Sequence, residues 1–215
     1  VLAVARSRPV VKPSWDGTSD EELLRRFGEG DARAFEELMR RYQRPIYNFI
    51  LRSARDPEQA AELCQETFLR VVQRSGDFLG GSKVSTWMYT IARNLCIDNS
   101  RKMVFRRHRS LDAKIGGEEG EGRSMLDTVA AAGAGADREA IGTDIKARLL
   151  AAVDELPDEQ REVFLLRELQ NLAFKEIADI VGVPENTVKS RMRYALERLQ
   201  RALAEYEDYA KELAR

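Results

Sequence analysis

Six side chains close together near the C-terminus are equipped to read nucleic acid: Asn186, Thr187, Lys189, Ser190, Arg193 and Tyr194. An amide, hydroxyls, an ammonium and a guanidinium supply the donors and acceptors that meet base edges and phosphates. None of them forms a covalent intermediate without an activating base. His108 is the only histidine and no CxxC occurs, so neither a His-based triad nor a zinc site is expected. Gly-x-x-x-x-Gly-Lys and nucleophile motifs are absent too, and no cofactor is called for. Carboxylates are plentiful, but they lie on amphipathic stretches where solvation explains them.

The six residues need a helix to present them. Val188, Met192, Ala195, Leu196 and Leu199 recur at steps of three and four, which puts an apolar face opposite the polar one. Ile177, Ala178 and Val181 predict a helix just before it. Gly182 suits the left-handed end of that helix, and Pro184 suits the start of the next. Helix, tight turn and helix is the layout of a helix-turn-helix DNA reader, with the second helix in the major groove. An amphipathic surface helix with a solvated charged face fits the same pattern.

A second basic site lies in the N-terminal half. Arg101 to Arg109 contains five Arg or Lys and no acid. It directly follows a predicted helix, from about Thr86 to Lys102, with Trp87, Met88, Ile91, Ala92 and Leu95 on one side. The loop before that helix carries Phe78, Ser82 and Lys83. Cations beside aromatic rings suit single-stranded nucleic acid, the cations on phosphates and the rings stacked on bases or wedged into the duplex. Asn94, Asp98 and Asn99 offer donors and acceptors to an extruded base. On periodicity alone, Trp87 also reads as plain core, and a basic run also reads as a solvated helix end.

Hydrophobic periodicity is helical nearly throughout, and no β-hairpin signal appears. The fold class is therefore all-α. Phe35, Leu38, Met39 and Tyr42 form one stripe, continued after Pro45 by Ile46, Phe49 and Ile50. Asp56-Pro57 marks a helix start, followed by Ala60, Leu63, Cys64, Thr67, Phe68 and Val71. The organisation expected is a tail over 1–18, a helical domain over 19–110, an acidic glycine-rich linker over 111–142, a helix-turn-helix domain over 143–205 and a short tail over 206–215. Thr143 is the expected cap of the second domain's first helix, and Leu156-Pro157 ends that helix. The linker's scattered alanines bury too little surface to fix a fold.

Hydrophobic residues make up 43% of the chain, enough for packed cores. The net charge of -1 does not advertise nucleic-acid binding, so the local clusters carry that argument. Cys64 and Cys96 read as buried free thiols suited to a reducing compartment. No apolar run reaches a signal peptide or the ~18 residues of a membrane span. A soluble cytoplasmic protein is expected.

Two blocks in order resemble the extracytoplasmic-function group of bacterial RNA polymerase sigma factors. The first runs Asp56–Val72 and Ser85–Lys102, with Asp56, Ala60, Glu62-Leu63, Gln65-Glu66, Phe68, Trp87, Ile91-Ala92, Asn94, Asp98 and Arg101 at the group's pattern positions. The second is LPDEQREVFLLREL, Leu156–Leu169, with TVKSR at Thr187–Arg191. The resemblance implies a non-enzymatic initiation factor whose partners are core RNA polymerase, through the β′ clamp helices and the β subunit, and promoter DNA. Glu62, Gln65 and Glu66 match the docking positions, with Asp56 close by. Phe78, Ser82, Lys83, Trp87, Asn94, Asp98, Arg101 and Lys102 would melt and read the −10 element. The helix-turn-helix would read the −35 element, and the linker would pass near the active-site and RNA-exit channels. Many members of this group are held by an anti-sigma factor.

The chain departs from the group's pattern in places. Val84 stands where an aromatic is frequent. The recognition helix runs Ser190-Arg191-Met192-Arg193-Tyr194-Ala195, with an arginine moved by one position. A self-sufficient helix-turn-helix regulator with a sensing or dimerising N-terminal domain is the alternative, and the Gln65-Glu66 block speaks against it. Without polymerase the free chain is expected to bind promoter duplex poorly. The flexible linker would let the two domains pack together and hide both DNA faces, a hypothesis that leaves their arrangement in the free chain open.

Overall fold

The computed structural model describes residues 15–78, 80–111 (side chains through 104) and 147–204. The regular elements among them are helical. The expected linker beyond Leu111, residues 1–14 of the expected N-terminal tail, Thr143 and the C-terminal tail lie outside the described residues.

The N-terminal domain is built from four helices: α1 (Asp20–Gly28), α2 (Ala32–Ala54), α3 (Pro57–Arg74) and α4 (Val84–Leu111). Their ends follow local chemistry. The Ser19 hydroxyl accepts from the Glu22 N–H, and acids fill the first turn of α1 with arginines in its last, which suits the helix dipole. Asp31 caps α2 and Asp56 caps α3, where Pro57 takes the first helical position. The α4 start is capped from a distance: Glu21 Oε1 accepts the Val84 N–H at 3.1 Å. Pro45 sits inside α2 without ending it. An interior proline costs about 3 kcal/mol, and burial on both sides outweighs it, since Leu38, Ile46, Phe49 and Ile50 all sink into the core.

Two expectations need correction here. Residues Trp15 to Thr18, read as tail, are anchored: Arg41 donates to the carbonyls of Trp15 and Thr18, and the Arg26 guanidinium lies over the Trp15 ring. An indole and satisfied carbonyls hold a segment that composition reads as free. The basic run from Arg101 to Arg109 does not follow the helix but belongs to it, because α4 extends to Leu111. Its spacing lacks the apolar marks by which a helix is normally traced.

The C-terminal domain comprises α5 (147–155), α6 (Asp158–Phe164), a π-helical turn (Leu165–Leu169), α7 (Phe174–Val181) and α8 (Glu185–Ala202). Leu156 and Pro157 separate α5 from α6, as expected. Between α7 and α8, Gly182 adopts φ 74°, a left-handed conformation that glycine enters at no steric cost. Arg161 is 3% exposed, donating to the Asp154 carbonyl and paired with Asp158.

The two domains pack on one another, α4 against α7 and α2 against the π turn, and their buried side chains form one continuous cluster. Ion pairs cross this boundary: Arg52–Asp154 at 3.0 Å, Lys83–Glu176 at 2.7 Å and Arg93–Glu162 at 2.7 Å. The two domains thus pack together in the free chain.

Candidate functional site

Three surfaces stand out, one on each of α3, α4 and α8. On α3, Ala60, Cys64, Thr67, Phe68 and Val71 face the core. Glu62 and Gln65 project outward, and Glu66 is half-buried beside Arg70 at 2.8 Å. Asp56 lies at the helix N-terminus with both carboxylate oxygens engaged. One accepts the N–H groups of Glu58 and Gln59, the other the Gln59 amide. The Gln59 N–H bond foremost holds the Asp56 carboxyl below its ordinary pKa. Sequence reasoning missed Leu69 and Val72, which are 51% and 38% exposed on the same side of α3. They border an open groove of about 300 Å3 shared with Phe35, Met39, Gln65 and Phe68. The available signal was their position off the core stripe.

On α4, Trp87, Asn94, Asp98 and Arg101 recur at steps of seven, four and three, stacked along one side. Asn94, Asp98, Arg101 and Lys102 are exposed, as is Ser82 in the preceding loop. Trp87 is half-buried, neither free nor core. Its ring lies 5.4 Å from that of Phe78 at a 48° tilt, so the aromatic pair stands at one end of the polar stripe. Lys83 is directed to Glu176 of α7. Asn99 leaves the expected set, since its amide donates to Gln59 Oε1 at 2.6 Å and ties α4 to the start of α3. Val84 is fully buried. The departure from the group's aromatic therefore falls in the core, not on the exposed stripe.

On α8, Val188, Met192, Ala195 and Leu199 are buried, while Asn186, Lys189, Ser190, Arg193 and Tyr194 are exposed and Thr187 is half-buried. Leu196, expected on the apolar face, is 48% exposed because it lies at the edge of the arc. The two arginines divide their work. Arg191 turns inward to Glu159 at 2.7 Å and is 18% exposed. Arg193 turns outward, its guanidinium 4.8 Å from the Tyr194 ring centre. Lys189 pairs with Glu185, and the Ser190 hydroxyl donates to the Asn186 carbonyl.

Domain packing does not hide both DNA faces, contrary to expectation. The α8 face points to solvent, and most of the α4 stripe does too. What the boundary covers is a flank of the α4 stripe. Burial foremost raises the Glu162 pKa there, opposed by Arg93. For Glu176, burial is outweighed by Lys83 and the Ala173 N–H, and its pKa falls. Cys96 lies nearby, its thiol pushed up to about 12 by burial first and Glu162 second. Both cysteines are free thiols, Cys64 buried and Cys96 half-buried. Among the described residues no acid, cysteine or histidine cluster could hold a metal, and no helix is long and apolar enough to cross a membrane.

Comparison with known proteins agrees with this geometry. Residues 38–106 match the family model of Sigma-70 region 2, and residues 146–199 match that of Sigma-70, region 4. The chain is 31% identical over 187 residues to the RNA polymerase sigma-H factor of Pseudomonas aeruginosa, covering 86% of this chain and 93% of that protein. It is 30% identical over 183 residues to the ECF RNA polymerase sigma factor SigW of Bacillus subtilis, covering 85% and 96%. Among solved structures, it resembles the sigma factor RpoE in complex with the anti-sigma factor NepR from Bartonella quintana. The TM-score is 0.62 at 23% identity, covering 80% of this chain and 98% of that one. The chain therefore belongs to the extracytoplasmic-function RNA polymerase sigma factors of the sigma-70 family.

Proposed function

We propose that the three surfaces divide promoter recognition among them once core polymerase is bound. The α3 face docks on the β′ clamp helices. Glu62, Gln65 and Glu66 supply polar contacts, and Leu69 and Val72 add an apolar anchor of the kind that dominates interface energetics. Asp56 sets where α3 begins and so fixes the register of that face. Carrying most of this reading is the stripe on α4, where Trp87, the polar pair and the cations follow one another along one side of a single helix, with Phe78 of the preceding loop packed on Trp87.

The stripe supports a stepwise account of melting. Unstacking a base step costs a few kcal/mol. Phe78 and Trp87 replace part of the lost stacking. Asn94 and Asp98 offer donors and acceptors to the extruded base, and Arg101 and Lys102 hold the strand's phosphates. On α8, Arg193 is the outward guanidinium available to a guanine edge, with Asn186, Thr187, Lys189, Ser190 and Tyr194 around it. The chain contributes no covalent chemistry, and it works in the cytoplasm, where polymerase and promoter are. An anti-sigma factor is a fitting regulator.

A promoter carrying 2-aminopurine in its −10 element tests the melting assignment. Polymerase loaded with the wild-type chain is expected to give a fluorescence rise on opening. Trp87→Ala and Asn94→Ala are expected to lower it while leaving polymerase binding intact. Full opening by both variants would overturn the assignment of the α4 stripe.

A further inference from the structure

Among the described residues, the ion pairs that join the two domains share one polarity. Each cation comes from the N-terminal domain: Arg52 at the end of α2, Lys83 before α4 and Arg93 on α4. Each carboxylate comes from the C-terminal domain: Asp154 on α5, Glu162 on α6 and Glu176 on α7. Arg55 extends the row by donating to the Asp154 carbonyl. The chain as a whole carries 35 cations and 36 acids, so its composition does not impose this polarity. A one-signed seam instead means that one domain presents a cationic strip and the other presents anions to fill it.

The strip lies beside the −10 stripe. Arg93 adjoins exposed Asn94, and Lys83 lies ten positions before Arg93. That interval spans about 15 Å along the helix axis, the axial rise of roughly four nucleotides of one DNA strand. Guanidinium forks donate to carboxylate and phosphate oxygens in the same geometry. None of Arg52, Arg55 or Arg93 has a part in the recognition scheme above.

We propose that Arg52, Arg55, Lys83 and Arg93 form a phosphate-binding strip for duplex DNA flanking the melted region, and that Asp154, Glu162 and Glu176 occupy it in the free chain as surrogates of the DNA backbone. Two of the three surrogate contacts are exposed enough to exchange readily. Lys83 is 68% exposed, Arg52 26% and Asp154 38%, and exposed pairs contribute only about 0–1 kcal/mol each, whereas Arg93 and Glu162 are 19% and 18% exposed and make the firmer contact of the three. Duplex DNA, with its dense charge and counterion release, is the stronger ligand once the domains are drawn apart. The recognition face of α8 is already open in the closed form, so closure masks the strip and not the −35 reader.

The test uses the full chain without polymerase, so its failure and that of the proposed docking are distinguishable. The probe is a fluorescein-labelled duplex of arbitrary sequence. The triple variant Asp154→Asn, Glu162→Gln and Glu176→Gln removes the surrogate charge but keeps each shape, including an acceptor for the Ala173 N–H. A control variant, Glu155→Gln, Glu168→Gln and Asp179→Asn, removes the same charge from exposed positions of the same domain. The interface variant is expected to bind on the order of tenfold tighter than wild type at low salt, with a salt slope steeper by about 3. Control affinity is expected to stay near wild type. Adding Arg52→Gln, Arg55→Gln and Arg93→Gln to the interface variant is expected to abolish the gain. Circular dichroism confirms that each variant is folded. An equal gain in the control, or a gain that survives loss of the arginines, would overturn the proposal.

Discussion

Asp56 occupies a family-pattern position beside the docking face, yet its oxygens cap α3. Substitution separates the two roles. Asp56→Ala leaves the Glu58 and Gln59 N–H groups without their side-chain acceptor. Loss of such a cap costs about 0.5–2 kcal/mol. The Gln59 amide also loses its partner at 2.7 Å, and that side chain connects onward to Asn99 of α4, so the upper part of the range applies, about 1–2 kcal/mol. Asp56→Asn keeps a carbonyl oxygen at the cap, and asparagine caps about as well as aspartate. Urea unfolding followed by circular dichroism at pH 7 is expected to shift markedly for the alanine variant and little for the asparagine variant. The pH dependence has a defined sign. The folded-state pKa of Asp56 is lowered, so its stabilisation is fully present above the ordinary aspartate pKa. It is shed as pH falls through the lower folded value. The gap between wild type and alanine therefore narrows in acid. Asparagine as damaging to stability as alanine would refute the capping argument. An asparagine variant that folds normally but loses polymerase binding would show that the charge itself docks.

Other outcomes follow from the same geometry. Arg193→Ala is expected to weaken −35 recognition by about 1–3 kcal/mol, whereas equal activity across variant −35 sequences would remove its role in base reading. Leu69→Glu alters a side chain already half exposed, so folding should persist while affinity for core polymerase falls by about 1–2 kcal/mol, roughly tenfold; unchanged affinity in a pull-down titration would detach the groove from docking. Iodoacetamide should alkylate Cys96 at pH 8 at least about a hundredfold more slowly in the folded chain than in urea, because the thiolate is the reactive form. Mass spectrometry of the Cys96 peptide reads that rate, and equal rates would contradict the burial.

Much of this architecture is written in the residues themselves. The 3.6-residue period of α2, α3 and α8, the Asp56-Pro57 start and the Gly182 turn all follow from local rules, because each is decided within a few residues. Leu196 and Trp87 show where periodicity loses resolution: both stand near the edge of an arc, and the neighbouring element decides how much each is covered. Trp15 was illegible because its anchors, Arg26 and Arg41, lie far along the chain. The polarity of the domain boundary was also invisible, since Arg93 and Glu162 are brought together only by tertiary packing. Charge counted along the sequence nearly cancels, while in three dimensions it separates into a cationic strip and its anionic cover.

Run-off transcription with purified core polymerase and a promoter library tests the central claim most directly. The account predicts transcripts that require this protein and start only from promoters sharing a −10 and a −35 element, with no specific duplex binding by the free chain. No dependence of transcription on the protein, together with tight binding of the free chain to a two-fold symmetric site, would contradict it.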